Sequence, residues 1–126
     1  MKGRILLIDD NLNLTVLLSR ALIQNGYDAI SENNSLNAME TVRRVEPDLI
    51  VLDIMMPGKS GTEILGELGT DRRLSRIPVI LLTALGPELE NAGERFHCEV
   101  LNKPVDLEVL LKEIEIHLSA IEVLPS

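Results

Sequence analysis

Short runs of consecutive apolar residues recur along the chain, and each ends in a polar residue. Three runs of four residues end in acids or a hydroxyl: Ile5–Ile8 before Asp9 and Asp10, Leu49–Leu52 before Asp53, and Val79–Leu82 before Thr83. Uninterrupted runs of this length are typical of parallel strands that are buried on both faces. Because the carboxyl ends of neighbouring parallel strands meet at one crevice, we expect three carboxylates and a hydroxyl at one edge. That concentration of negative charge predicts a bound cation.

Segments with helical periodicity lie between these runs. The first predicted helix follows Asp10 and ends at Asn25-Gly26, which suits a helix C-terminus. Its apolar face is spaced i, i+3, i+4, i+7 and i+8, as Leu14, Leu17, Leu18, Ala21 and Leu22. This spacing is typical of an amphipathic helix that packs on a sheet.

Three further helices are indicated by capping residues followed by apolar stripes. The predicted caps are Ser35, in a helix that stops before Pro47, then Ser60 with Glu63 in capping-box spacing, and Asp106. The stripes that follow these caps are Ala38, Met39, Val42 and Val45, then Ile64, Leu65 and Leu68, then Leu107, Leu110, Leu111, Ile114, Leu118 and Ile121.

Two more strands complete an alternating pattern. Tyr27–Ser31 and Glu99–Asn102 each have the length and composition of a short strand. Glycine and proline interrupt residues 86–96, where we expect a short or irregular fourth helix. Five strands alternating with five helices predict an α/β fold with a doubly wound parallel sheet. Periodicity leaves the strand order open, but Asp9 and Asp53 can meet only if the first and third strands are neighbours.

Composition narrows the classes of protein that fit this pattern. With 126 residues, of which 45% are hydrophobic and 2% aromatic, the chain is expected to form one domain with an aliphatic core. Its net charge of −8 disfavours direct binding to nucleic acid. No run approaches the roughly 20 apolar residues that a membrane span needs, so we expect a cytoplasmic protein without membrane contact.

The chain's cysteine and histidines suggest no further chemistry. Cys98 is the single cysteine, which excludes an intramolecular disulfide. We interpret it as a small buried apolar residue. His97 and His117 lack the spacing of metal ligands and are interpreted as surface or edge residues.

The polar residues at the strand ends resemble those of the receiver domain of two-component response regulators. The resemblance covers nearly the whole chain and is carried by Asp9-Asp10, Asp53, Met56-Pro57 with Gly61, Thr83-Ala84 and Lys103-Pro104. It implies a flavodoxin-like three-layer sandwich with strand order 2-1-3-4-5. We expect the receiver domain to span residues 1–122 and a C-terminal tail, or the start of a linker, to span residues 123–126.

The resemblance implies a phosphoacceptor site with a bound metal. Asp53 would accept a phosphoryl group from a sensor histidine kinase or a histidine phosphotransfer protein. Asp10, Asp53 and the backbone carbonyl of Met55 would hold Mg²⁺ or Mn²⁺, with Asp9 contributing directly or through water. Such oxygen ligands suit hard divalent cations. Lys103 would pair with Asp53 at rest and contact the phosphoryl oxygens afterwards.

Other expectations of the resemblance concern how the signal is passed on. Thr83 would donate its hydroxyl to the phosphoryl group, and the Lys103–Pro104 peptide would be cis. Partners would include an output domain or protein, with formation of a homodimer on phosphorylation left open. The family usually has an aromatic switch residue three positions before the lysine, where this chain has Val100. A stripe on the last helix, Val109, Ile116 and Val123, fits either a wide buried face or a partner surface.

Two alternatives remain beside a phosphorylated signalling module. A degenerate receiver could act as a constitutive interaction domain, although Asp10, Asp53 and Lys103 are all present. An enzyme is the other alternative, and we expect none that acts on a separate substrate. An aspartate-nucleophile phosphatase would have a second acid where Met55 stands. A flavin protein would have a glycine- and hydroxyl-rich loop where Asp9-Asp10 stands.

Overall fold

The computed structural model describes residues 2–84 and 98–123, with side chains described as far as residue 119. The strands are β1 (Arg4–Ile8), β2 (Asp28–Glu32), β3 (Leu49–Asp53), β4 (Val79–Thr83) and β5 (Glu99–Asn102). The helices are α1 (Leu12–Gln24), α2 (Ala38–Val45), α3 (Gly61–Thr70) and α4 (Leu107–Val123), with 3₁₀ turns at Ser35–Asn37 and Leu74–Arg76. The predicted helix over residues 86–96 lies outside the described residues.

The five strands form one parallel sheet in the order β2-β1-β3-β4-β5. The doubly wound α/β fold and the strand order 2-1-3-4-5 are therefore confirmed. Its register pairs Ile8 with Leu52, Asp53 with Leu82, and Thr83 with Asn102. Because these residues lie at strand ends, the register fixes which polar residues share the carboxyl edge of the sheet.

Alternate residues of the buried strands face two separate aliphatic clusters. Ile5, Leu7 and Leu49 pack with residues of α1 and α4 on one face. Leu6, Ile8 and Ile50 pack with residues of α2 and α3 on the other. These two clusters make the three-layer sandwich. Since all three predicted four-residue runs are buried on both faces, the sheet's interior explains their lack of polar positions.

Helix α1 packs in an orientation that differs from the prediction. Leu17, predicted on the inner face, is 65% exposed, whereas Leu18, Ala21 and Leu22 are buried as expected. Thr15 is buried instead. At 3.6 residues per turn the buried stripe is centred near Leu18 and Leu22, which leaves Leu17 outside its edge.

The capping prediction is wrong for Ser35. Ser35 is the first residue of the 3₁₀ turn, whose N-cap is Asn34. The buried hydroxyl of Ser35 does not cap this turn and binds a different segment instead. That hydroxyl donates to the carbonyl of Pro57 at 2.6 Å and accepts from the backbone N–H of Lys59 at 2.9 Å. Ser35 therefore ties the segment before α2 to the loop that follows β3, a contact between segments distant in sequence.

The other predicted element ends agree closely with the structure. Ser60 Oγ accepts from the N–H of Glu63 at 3.2 Å, and Asp106 Oδ1 accepts from the N–H of Glu108 at 3.0 Å. Strand β2 begins and ends one residue later than predicted, and Tyr27 is buried just before it. No helix within residues 2–84 and 98–123 combines the length and apolarity needed to cross a bilayer.

Gly61 allows the start of α3 to pack directly on the end of β3. A Cβ at this position would overlap the carbonyl oxygen of Asp53 and lie 2.8 Å from Ile54 Cα. Gly66, in the same helix, has open space around it. The two glycines therefore offer a matched test of this close approach.

We predict opposite effects of alanine at these two glycines on the free energy of unfolding. Gly61→Ala should destabilise the protein by about 2–3 kcal/mol, because backbone atoms must move. Gly66→Ala should stabilise it by about 0.5–1 kcal/mol, because alanine favours the helix. Urea unfolding measures both, and equal effects of the two variants would contradict the packing described for Gly61.

Candidate functional site

The carboxyl edge of the sheet collects buried polar side chains from three neighbouring strands. Asp9 follows β1, Asp53 is the last residue of β3, and Thr83 is the last residue of β4. Their exposed fractions are 3%, 3% and 1%. Asp10, next to Asp9, is exposed. The predicted convergence of acids and a hydroxyl is thus present in the structure.

The three acids of this edge are close enough to share a metal ion. One carboxylate oxygen from each of Asp9, Asp10 and Asp53 lies within 4.8 Å of the other two. Asp9 Oδ2 is buried and has no hydrogen-bond partner among the described residues. A buried carboxylate oxygen with spare capacity, beside two other carboxylates, fits a hard divalent cation such as Mg²⁺. The donors present are therefore suited to the predicted metal.

Lys103 brings a positive charge to the same edge. Its Nζ forms ion pairs with Asp9 Oδ2 at 3.0 Å and with Asp53 Oδ1 at 3.3 Å. Its backbone N–H donates to the carbonyl of Thr83 at 2.7 Å, and the Lys103–Pro104 peptide is cis, as the resemblance implied. Burial acts to lower the pKa of Lys103, but the two carboxylates outweigh it and the pKa is raised.

Asp53 resists ionisation in this environment. Burial, and secondarily the charge of Asp9, raise the pKa of Asp53 to about 6. Lys103 and the backbone N–H of Met55 act in the opposite direction without cancelling the rise. A divalent cation would favour the ionised form, so metal binding and Asp53 ionisation support each other.

Asp9 is held in place by contacts that the sequence did not indicate. Its Oδ1 accepts from the backbone N–H of Asn11 at 2.9 Å. Asn33 Nδ2 donates to the Asp9 carbonyl at 2.8 Å and to Thr15 Oγ1 at 3.0 Å. Asn33 follows β2, so its place at this edge is set by the pairing of β2 with β1. A polar residue after a strand was the only available signal for it.

Hydrogen bonds within the loop after Asp53, and from Ser35 to its middle, hold this loop in place. The N–H of Gly61 donates to the carbonyl of Ile54 at 2.8 Å, and Ser35 binds two backbone groups in the middle of the loop. Lys59 Nζ pairs with both carboxylate oxygens of Glu67 at 2.8 and 2.9 Å. Met55, the second residue of this loop, is 56% exposed.

The position of the usual aromatic switch holds a packed aliphatic residue. Val100 is half-buried and packs against the cluster on the α2–α3 face of the sheet. It lies in β5 opposite Leu81. A branched aliphatic side chain fixed in this way has no ring to rotate toward the site. The chain therefore differs here from the family's usual aromatic switch residue, as the sequence indicated.

Comparison with known proteins gives a consistent assignment. A family model described as the response regulator receiver domain matches residues 5–115. Protein PilH of Pseudomonas aeruginosa is 34% identical over 114 residues, which cover 89% of this chain and 94% of PilH. The polar-differentiation response regulator DivK of Brucella anthropi is 34% identical over 123 residues, which cover 94% of this chain and 98% of DivK.

Other relatives are longer than this chain. The DNA-binding dual master transcriptional regulator RpaA of Synechocystis is 34% identical over 114 residues, which are 88% of this chain and 47% of RpaA. The chain thus spans about half the length of such relatives.

Solved structures share the whole fold. The signal receiver domain of a signal transduction histidine kinase from Syntrophus aciditrophicus matches with a TM-score of 0.87 at 28% identity, covering 98% of this chain and 96% of that one. The BeF3-activated N-terminal receiver domain of Klebsiella pneumoniae RstA matches with a TM-score of 0.82 at 27% identity, covering 91% and 97%.

We predict that Asp53→Asn stabilises the metal-free protein at neutral pH. The pKa of Asp53 is raised to about 6 in the folded state. Ionisation of Asp53 therefore lowers the free energy of unfolding, and this decrease takes place as the pH rises from about 4 to 6. In EDTA at pH 7.5 the variant should be more stable by on the order of 1–2 kcal/mol, and the difference should vanish near pH 4.

Urea unfolding across this pH range measures the difference. Glu40→Gln, at an exposed position of α2, serves as the control and should leave stability near that of the unmodified chain. A less stable Asp53→Asn protein at pH 7.5 in EDTA would show that the ionised Asp53 carboxylate does not destabilise the folded protein.

Proposed function

The chain belongs to the response regulator receiver domain family, and we propose that it accepts a phosphoryl group on Asp53. The donor is the phosphohistidine of a sensor histidine kinase or of a histidine phosphotransfer protein. Receiver domains are generally signalling modules and not enzymes with separate substrates. The function proposed for this one is a change of partner binding that follows its phosphorylation.

The observation that carries this proposal is the arrangement around Asp53. A buried carboxylate at a strand end has an ammonium at 3.3 Å and shares its edge with two further acids. A carboxylate is a competent nucleophile for phosphorus. The neighbouring acids supply metal ligands, and Lys103 supplies a fixed positive charge, which are the two forms of stabilisation that phosphoryl transfer depends on.

The reaction assigned to this site uses these residues as follows. A carboxylate oxygen of Asp53 forms a bond to phosphorus while the bond from phosphorus to the donor imidazole breaks, and the released imidazole nitrogen takes up a proton. Lys103 pairs with the phosphoryl oxygens in place of Asp53. The buried Thr83 hydroxyl, next to Lys103 through the backbone contact at 2.7 Å, donates to a phosphoryl oxygen.

Asp9, Asp10, Asp53 and the backbone carbonyl of Met55 would hold Mg²⁺ or Mn²⁺. When bound, the ion supplies charge neutralisation at the transferring group. Asp9 is best prepared for this, because Asn11 and Asn33 fix it while its Oδ2 keeps coordination capacity.

The proposal extends to the chain's partners and extent. Residues 1–122 are taken as the receiver unit, with residues 123–126 as a tail or the start of a linker. Since the matched region is 47% of RpaA, the output of this chain is assigned to a protein or domain outside the part described. The proposed phosphoryl donor implies a cytoplasmic location for the chain.

We predict that acetyl phosphate with Mg²⁺ adds one phosphoryl group to the chain and that Asp53→Asn abolishes the addition. Asp48→Asn is the matched control, because Asp48 precedes the same strand at its opposite end and is exposed. Intact-mass measurement should detect the modification in the unmodified chain and the control. Modification of Asp53→Asn to the same extent would overturn the acceptor assignment. If none of the three proteins is modified, the result would favour the alternative of a degenerate receiver that acts as a constitutive interaction domain.

A further inference from the structure

A second group of potential metal ligands lies away from the phosphoacceptor edge. Glu99 begins β5, and Glu113 and His117 lie one turn apart on α4. Carboxylate oxygens of the two glutamates and a ring nitrogen of His117 all lie within 4.8 Å of one another. All three residues are half-buried. The packing of α4 on the sheet therefore converges three donor groups that come from two elements.

The ring nitrogen of His117 is left without a hydrogen bond. His117 Nε2 is buried and has no hydrogen-bond partner among the described residues. Glu113 Oε2 is 3.8 Å away, which is beyond hydrogen-bond range. A buried polar atom without a partner is uncommon and costs free energy unless something binds it. Two carboxylates and an imidazole around one gap indicate a cation as the missing partner.

The donor types distinguish this site from the acidic edge. One imidazole nitrogen with two carboxylates is a mixed nitrogen and oxygen donor set, and Zn²⁺ binds both donor types and can take a water beside three protein ligands. Mg²⁺ instead prefers oxygen ligands and retained waters. We propose that Glu99, Glu113 and His117 form a binding site for a divalent transition-metal ion of the Zn²⁺ class, separate from the phosphoacceptor site.

The surroundings leave room for the ion's remaining ligand. His117 lines a cavity of about 360 Å³, together with Cys98, Arg76 and residues at the end of α3. Cys98 lines this cavity but is not among the donors that lie within 4.8 Å of one another. A water is therefore the fourth ligand that we assign.

The two metal sites are far enough apart to be tested independently. Glu99 precedes Lys103 by four residues along the strand direction, which is about 13 Å at the rise of a parallel strand. Millimolar Mg²⁺ can therefore fill the acidic edge while Zn²⁺ is titrated into the second site. An ion there would join β5 to α4 by direct ligation, on the strand that leads to Lys103.

The test is a zinc titration of the full chain in excess Mg²⁺, read by competition with a chromophoric chelator. One equivalent of Zn²⁺ should bind with micromolar affinity. His117→Gln and Glu99→Gln should each weaken binding at least about tenfold. Glu115→Gln, an exposed position on the same helix, and His97→Gln should change it less than twofold. Circular dichroism establishes that each variant is folded.

Four results would overturn the proposal. Zinc binding that is unchanged in both His117→Gln and Glu99→Gln would place the ion elsewhere, as would binding lost in His97→Gln. The absence of stoichiometric binding would remove the site altogether. Cobalt substitution gives a further check, because a thiolate charge-transfer band in the Co²⁺ spectrum would assign the ion to Cys98 and refute the proposed ligand set.

Discussion

The arrangement of charge at the carboxyl edge of the sheet is the constraint on which the rest of the structure depends. Asp9 and Asp53 are both 3% exposed, and Asp10 brings a third carboxylate within 4.8 Å. When all three are ionised, the single ammonium of Lys103 leaves two negative charges uncompensated. Close carboxylates in a buried place repel one another strongly. The fold must therefore hold them together against that repulsion as long as no cation is bound.

The scaffold supplies this restraint mainly through main-chain geometry. The parallel register fixes the ends of β1, β3 and β4 side by side, and the residues of these strands are buried except for Arg4 at the start of β1. Asn33 then holds the Asp9 backbone, Gly61 lets α3 close on Asp53, and Ser35 clamps the loop beyond it. Each of these residues acts on the backbone near an acid and occupies no carboxylate oxygen.

Features of the fold and site that depend on local sequence patterns could be predicted, whereas those that depend on contacts between distant segments could not. The buried strands, their polar ends and the caps at Ser60 and Asp106 depend on local patterns, and the structure confirms them. The strand order came from the family resemblance. Leu17, Ser35 and Asn33 were misjudged or missed, because their surroundings depend on contacts between distant segments. His117 shows the same limit, since the nearby Glu99 comes from a strand that only the fold brings close to it.

The central claim is that these acids form a site that takes up a phosphoryl group only together with a divalent metal. Fluorine NMR with beryllofluoride, a stable mimic of the phosphoryl group, tests it most directly. The account predicts bound fluorine resonances for the unmodified chain in Mg²⁺, and none in EDTA or for Asp53→Asn. Bound resonances without Mg²⁺, equal binding by Asp53→Asn, or no bound signal in Mg²⁺ would contradict it.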